Sequence, residues 1–246
     1  MVPLKDDERI DFADKDETIP IIQSSSVFSF SLDAILLANF TYVPIKQGKI
    51  LDLGTGNGII PLLLTRRTAA KITGVEIQAC LVDMAQRSIQ MNQFNEQINI
   101  IHEDLTKLHN RLSHSHFDVI TCNPPYFVTP SPTEHNKNDY LTIARHEVMC
   151  TLEDVVKACK RYVKPRGKIS IVHRPERLVD LLTLFRQYRI EPKRLQFIYP
   201  KVGKDANMLL IEGVRDGKPG LKILPPLYIY QKDGTYTEEA REIIYG

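Results

Sequence analysis

From residue 49 onward, short β-branched runs alternate with helix-patterned segments, and few folds accommodate that rhythm. The runs are KILDLG (49–54), AKITGVEI (70–77), INIIHED (98–104), FDVITC (117–122) and GKISIVHR (167–174). Such alternation predicts βαβ units and a mostly parallel, doubly wound α/β sheet. Two of the intervening helices carry boundary signals. In TLEDVVKACKRYVK, Leu152, Val155, Val156, Cys159, Tyr162 and Val163 recur at helical spacing. Thr151 with Asp154 forms a capping-box pattern there, and Pro165 with Gly167 marks the exit. PERLVDLLTLFRQYRI (175–190) opens on proline and aligns Leu178, Leu181, Leu182, Phe185 and Tyr188. The short KVGKD link between QFIYP (196–200) and ANMLLIEGV (206–214) predicts a hairpin, and with it an antiparallel last strand.

Residues 1–48 contain a strand-like SSVFSF and a helical LDAILLANF. They read as an N-terminal extension packed on one domain spanning 49–246. The longest apolar runs, such as AILLANF (34–40), are too short to cross a bilayer, and the charged start MVPLKDDERI does not resemble a secretory signal. A cytoplasmic protein is expected. The formal net charge is only +2, yet residues 1–20 are acidic and KRYVKPRGKISIVHRPER (160–177) is heavily basic. That asymmetry permits a polyanionic partner, and it is equally compatible with ordinary solvated helix and strand ends. Cys80, Cys122, Cys150 and Cys159 form no CxxC pair and read as free core thiols. His109, His114 and His116 have no carboxylate or thiol partner at ligand spacing, so no metal is expected.

The loop DLGTGNG (52–58) ends the first of these strands and opens a helix. Gly54, Gly56 and Gly58 let the backbone turn sharply and approach a ligand without Cβ interference. Eighteen residues after Gly58, the second strand ends in Glu76, where a carboxylate can accept from the hydroxyls of a ribose. A nucleoside cofactor is expected, with a purely structural loop and a surface glutamate as the alternative. The G-x-G-x-G spacing, led by Asp52 within the strand, differs from the G-x-G-x-x-G of dinucleotide binders. It resembles the first motif of class I S-adenosylmethionine-dependent methyltransferases. That resemblance implies a Rossmann-like seven-stranded methyltransferase sheet with the last strand antiparallel. It also implies that Asp104, at the end of the third strand, lies near the cofactor adenine; capping of the following LTKLHNRL helix is the competing role for Asp104.

TCNPPY (121–126) ends the fourth strand in an amide, two prolines and an aromatic ring. In a sheet of this kind that strand should flank the glycine-loop strand on the side away from GVEI, putting Asn123 at the methyl-donor end of the cofactor. NPPY is similar to the fourth motif of amino-methyltransferases. An exocyclic amine conjugated to a ring is a poor nucleophile because its lone pair is delocalised. The Asn123 side-chain oxygen and the Pro124 carbonyl can each accept one of its N–H bonds and so orient the lone pair. Proline lacks an N–H and has a fixed φ, which pre-sets that carbonyl. Tyr126 offers a flat face for a planar base, a contact worth roughly 1–3 kcal/mol. Asn123, Pro124 and Tyr126 are thus the expected catalytic residues, Asn123 also bordering the cofactor.

NPPY serves enzymes that methylate adenine, cytosine, guanine and glutamine amides, so the acceptor has to come from the whole chain. FSFSLDAILLANF before the loop, YLTIARHE (140–147) after NPPY and the final ANMLLIEG resemble the bacterial tRNA1(Val) adenine-37 N6-methyltransferase family. The resemblance implies S-adenosylmethionine as cofactor and tRNA as partner. Pro125, Phe127, Arg145 and His146 are the expected substrate contacts, the last two toward phosphate or ribose, with anchoring of the 127–150 loop as their alternative role. Asp33 is expected either to help close the site or to cap its own helix. An rRNA or protein-glutamine amino-methyltransferase, or a non-catalytic cofactor-binding RNA factor, remains open at this point.

Overall fold

The structure, a computed structural model, describes residues 2–14, 16–27, 31–44, 46–124, 126 and 150–245. Two short strands, β1 (Glu8–Phe12) and β2 (Pro20–Ser24), pair antiparallel ahead of helix α1 (Leu32–Phe40). The alternating part follows: β3 (Lys49–Leu53), α2 (Ile59–Thr65), β4 (Lys71–Glu76), α3 (Ala79–Met91), β5 (Ile98–His102), a 3-10 turn at Leu105–Asn110, and β6 (Phe117–Cys122). Beyond the loop come α4 (Leu152–Tyr162), β7 (Val163–His173), α5 (Leu178–Gln187), β8 (Ile190–Tyr199) and β9 (Met208–Arg215). Two-residue strands β10 (Lys222–Ile223) and β11 (Leu227–Tyr228) and helix α6 (Glu238–Tyr245) end the chain.

The sheet runs β10-β8-β9-β7-β6-β3-β4-β5, with β11 also on β8. Its seven-stranded core, β3 to β9, has only β9 antiparallel to its neighbours, as the hairpin link predicts. Alternate side chains feed two cores. Ile50, Ile72, Val119 and Val172 face α1, α2 and α3, whereas Leu51, Ile120, Ile169 and Ile171 face Val155, Val156 and Tyr162 of α4 and Leu181 and Phe185 of α5. A two-residue period along each strand divides the layers in this way. The capping box at Thr151 and Asp154 is present in both directions.

Three boundaries differ from expectation. Pro165 and Gly167 do not follow the helix as a break; they lie inside β7, which starts directly after Tyr162. Arg166 there takes a left-handed φ of 67°, and the β6–β7 register shifts between Phe117 and Val119, so the proline sits in a bulge where it costs no ladder bond. Helix α5 stops at Gln187 because Arg189 turns left-handed, and β8 begins at Ile190. The strand expected at SSVFSF falls earlier, at Pro20–Ser24; residues 25–27 form a turn and the rest of that segment lies outside the described residues. Ile21, Leu36 and Leu37 share one core cluster with Ile50 and Ile60, so the N-terminal elements and the sheet are packed together. Among the described residues, no helix is long and apolar enough to cross a membrane.

Candidate active site

Strand β3 pairs with β4 on one side and β6 on the other, which makes it the point where the strand order reverses. Crevices at the carboxyl ends of such strands are where ligands bind. Leu53 pairs with Cys122 and Val75, and Cys122 with Ile171, so the ends of β3, β4, β6 and β7 form one rim. Asp52, Gly54, Gly56, Gly58, Glu76, Asn123 and Pro124 lie in or just beyond the ends of β3, β4 and β6, and Asp104 lies beyond the end of β5.

Gly54, Gly56 and Gly58 have φ of 69°, 59° and 87°, a region that side chains enter only with strain. The N–H groups of Gly54 and Thr55 both donate to the Val75 carbonyl at 2.9 Å, folding the loop over β4. A Cβ placed on Gly54 would lie 4.0 Å from the Asn123 carbonyl oxygen, and one on Gly56 would enter open space. The glycine loop and NPPY are thus neighbours, 69 residues apart in sequence. Asn57 Nδ2 donates to the Ile22 carbonyl at 3.1 Å, so β2 braces the loop from below.

Glu76 is buried, and its carboxylate accepts from three backbone N–H groups: Gly56 on Oε2 at 3.0 Å, Ile77 and Gln78 on Oε1 at 2.9 Å each. Of roughly four lone-pair positions on a carboxylate, one is left, on Oε2. One ribose hydroxyl can be accommodated directly; a second requires the loop N–H to yield. Burial pushes the Glu76 pKa up. Asp52 is fully buried, with Oδ1 accepting from the Thr121 hydroxyl at 2.6 Å and Oδ2 without a hydrogen-bond partner among the described residues. Burial lifts its pKa to about 7. A buried, under-satisfied acid beneath a glycine loop fits a cationic nucleoside ligand, since positive charge above it restores the carboxylate.

Asp104 occupies the N-cap of the 3-10 turn, its Oδ1 accepting from the Thr106 N–H and hydroxyl at 2.8 and 2.7 Å. The capping role is therefore the one its geometry displays. Tyr126 turns its hydroxyl inward, against Asp33 Oδ2 and against Asn123 Oδ1 at 2.6 Å. Asp33 Oδ1 in turn accepts from the Ser31 hydroxyl and the Ala34 N–H. Burial, with the Asp33 charge, holds the phenol pKa far above its usual range, so Tyr126 stays a donor. Pro125, Phe127, Arg145 and His146 lie outside the described residues.

His173, absent from the sequence-based expectations, ends β7 with its ring centroid 5.4 Å from that of Tyr126. Its Nδ1 accepts from the Arg174 N–H at 2.8 Å, which puts the proton of the neutral ring on Nε2, a buried donor with no partner among the described residues. Burial lowers its pKa to about 4. Thr121 was also missed. Both are polar residues closing otherwise apolar strands, and that is the signal that could have found them.

The basic stretch divides by strand direction. Lys160, Lys164 and Lys168 pair with Asp216, Asp118 and Glu212, and Arg161 donates to His114, all toward the amino end of β7 and away from the rim. Arg174 follows the carboxyl end of β7, and its charge acts on Tyr126. Lys201 and Lys204 are exposed on the β8–β9 turn at the same edge. None of these three forms an ion pair among the described residues. No cluster of His, Cys, Asp and Glu there could hold a metal. Cys122 and Cys159 are buried free thiols, while Cys80 and Cys150 are only half-buried.

The family model described as methyltransferase small domain matches residues 19–197. The chain belongs to the methyltransferase small domain family. As a member of that family it is an S-adenosylmethionine-dependent methyltransferase, whose donor carries a sulfonium and an ammonium group. A tRNA1(Val) (adenine(37)-N6)-methyltransferase of Tolumonas auensis is 30% identical over 230 residues, 89% of each chain. One of the same name from Porphyromonas gingivalis is 30% identical over 165 residues, and the chain spans 64% of that relative's length. In fold, a predicted O-methyltransferase from Agrobacterium tumefaciens is similar with a TM-score of 0.69 at 21% identity, over 86% of this chain and 94% of that one.

For this methyltransferase, the Asp52 environment gives a pH signature. In the free protein the group binds a proton that the unfolded chain has already lost between about pH 4 and 7, so it withdraws stability as pH rises through that window. Donor binding should favour the ionised form and release a proton. We expect donor affinity to be about tenfold higher at pH 7.5 than at pH 5.5, with proton release visible by calorimetry in buffers of different ionisation enthalpy. Asp52→Asn should bind more weakly at pH 7.5 and lose most of this dependence. An unchanged profile in that variant rules the assignment out.

Proposed function

We propose that this protein methylates the exocyclic N6 of an adenosine in tRNA, namely adenosine 37 of a valine tRNA, the substrate printed in the names of its Tolumonas and Porphyromonas relatives. The observation that carries the reading is the adjacency of the glycine loop and NPPY, with Gly54 against the Asn123 carbonyl. S-adenosylmethionine, when bound, supplies an electrophilic methyl group. Asn123 and the Pro124 carbonyl hold the acceptor amine by its two hydrogens and align its lone pair, and the Tyr126 ring backs the base. No strong base is required, because the nitrogen becomes acidic once alkylated. Orientation of this kind supplies up to about 7–11 kcal/mol of a barrier. The base has to be splayed from its stack to enter. Action on tRNA implies a cytoplasmic location.

The decisive experiment is nucleoside mass spectrometry of valine tRNA from cells lacking the protein. Loss of N6-methyladenosine at the anticodon loop, restored by the intact gene, supports the reading. Its retention, or labelled methyl transfer to release factor or rRNA alone, overturns it.

Arg174, Lys201 and Lys204 are our choice for phosphate contacts, since they stand at the rim without acidic partners among the described residues. Replacing all three by alanine should weaken tRNA binding at low salt and flatten its salt dependence by about 0.7–0.9 per charge removed. Replacing Lys160, Lys164 and Arg166 should leave the salt slope unchanged. Equal effects in filter-binding titrations of the two triple variants count against this division.

A further inference from the structure

The hydroxyl of Tyr126 carries one proton and meets two acceptors, Asp33 Oδ2 and Asn123 Oδ1. One proton cannot satisfy both. The carboxamide O and N of asparagine are nearly isosteric, so the side chain can turn over in place without moving a neighbour. With the amide turned, Asn123 Nδ2 donates to the Tyr126 oxygen and the Tyr126 hydroxyl donates to Asp33. The Tyr126 hydroxyl and Asp33 Oδ2 then match, and the Tyr126 oxygen accepts from Asn123 Nδ2. The turn has a second effect: it leaves Asn123 Oδ1 on the opposite side, free to accept.

We infer that Asp33, on the N-terminal helix, is a positioning residue that acts through Tyr126 to fix the Asn123 amide with its oxygen toward the acceptor amine. This deepens the proposed function and rests on it for the identity of the acceptor, though the orientation of the amide can be read without any substrate. Asp33 is suited to the task. It is only 5% exposed, and Ser31 and Ala34 hold its other oxygen, so its Oδ2 is fixed in direction. Without the Asp33 acceptor, the phenol can donate to Asn123 instead, and the amide then presents two N–H groups, or a shared oxygen, to an amine that needs an acceptor. Asp33 lies 93 residues from Tyr126 in sequence, and the contact joins the extension to the chemistry of the sheet.

Two measurements test this. The side-chain NH2 signals of [15N]asparagine-labelled protein, with Asn123 assigned by its loss in Asn123→Asp, should respond to Tyr126→Phe. That change keeps the ring and its current shift but removes the hydroxyl. The relay predicts a clear shift of one Asn123 amide proton, and a shift in the same proton for Asp33→Asn. An Asn123 signal indifferent to Tyr126→Phe overturns the relay, whatever the natural acceptor proves to be. In methyl transfer to tRNA, Asp33→Asn and Tyr126→Phe should each lower kcat about 10–100-fold, with donor Kd and tRNA KM within about twofold of the parent. The double variant should be no slower than the slower single one. A fall in melting temperature with unchanged kcat is the result for a mere helix cap and overturns the positioning role. If the parent protein transfers no methyl to tRNA, the substrate reading fails, while the amide signals still decide the relay.

Discussion

Asn123→Ala is expected to lower kcat by roughly 10²–10³-fold or more, the scale seen when one preorganised hydrogen-bonding group is removed from a reacting centre. Donor affinity should stay within about twofold of the parent, because the groups facing the cofactor crevice from β3 and β4 are untouched. The asymmetry comes from position. Asn123 extends from the carboxyl end of β6, half-buried, and its side chain reaches Tyr126, while its main-chain oxygen faces Gly54. Removing the carboxamide takes away one of two oxygens that orient a delocalised amine and also leaves the Tyr126 hydroxyl with a single partner. Single-turnover transfer of a labelled methyl group, alongside calorimetric donor binding, separates the effects. Near-normal turnover in this variant excludes an amine-holding role for Asn123.

Glu76→Ala should fail in the opposite manner, through binding and stability. Its carboxylate gathers the N–H groups of Gly56, Ile77 and Gln78, fastening the glycine loop to the start of α3. Stripped of that acceptor, one buried donor (Gln78) and two part-buried ones (Gly56 and Ile77) need new partners at about 1–3 kcal/mol each, less whatever water recovers. A loss of at least about 3 kcal/mol corresponds to roughly 6–12 °C in melting temperature for a chain of this size. The donor should bind about 10–100-fold more weakly, as expected for loss of a charge-assisted hydrogen bond and of loop order. Glu76→Gln keeps one acceptor oxygen but sets an NH2 against backbone donors, so it should fall between the two. If melting and donor binding both match the parent, the carboxylate is neither the loop's fastening nor a cofactor contact.

Much of this architecture was legible before any coordinates, and the reason is local. Apolar runs of five or six residues separated by amphipathic stretches leave little choice but crossover connections, and the loop glycines and the strand-end acid fall where such a fold needs them. NPPY was legible because two prolines after a buried strand have no ordinary structural use. What stayed hidden was long-range. The proline and glycine at 165 and 167 carry the local signal of a break, yet pairing of β7 with β6 on one side and β9 on the other absorbs them into a bulge. A side chain on Gly167 would meet Val163 Cγ2 at 2.6 Å, so that glycine serves close packing within the strand. Likewise, nothing in VEI reveals that Glu76 has already spent most of its lone pairs on backbone. Nor does any periodicity link Asp33 to Tyr126, whose meeting depends on how the extension lies across the rim.

The position of β9 between β7 and β8 also bears on how the chain is made. Strand β8 is synthesised first but, among the described residues, pairs only with β9, β10 and β11, all of which come later. A nascent chain that has emerged only as far as β8 therefore holds one orphan strand and leaves the outer edge of β7 open. Both are invitations to pair with another chain. Ribosome-stalled or prematurely terminated products ending before Met208 should consequently depend on chaperones, whereas a few residues past Arg215 complete the closure of the core sheet.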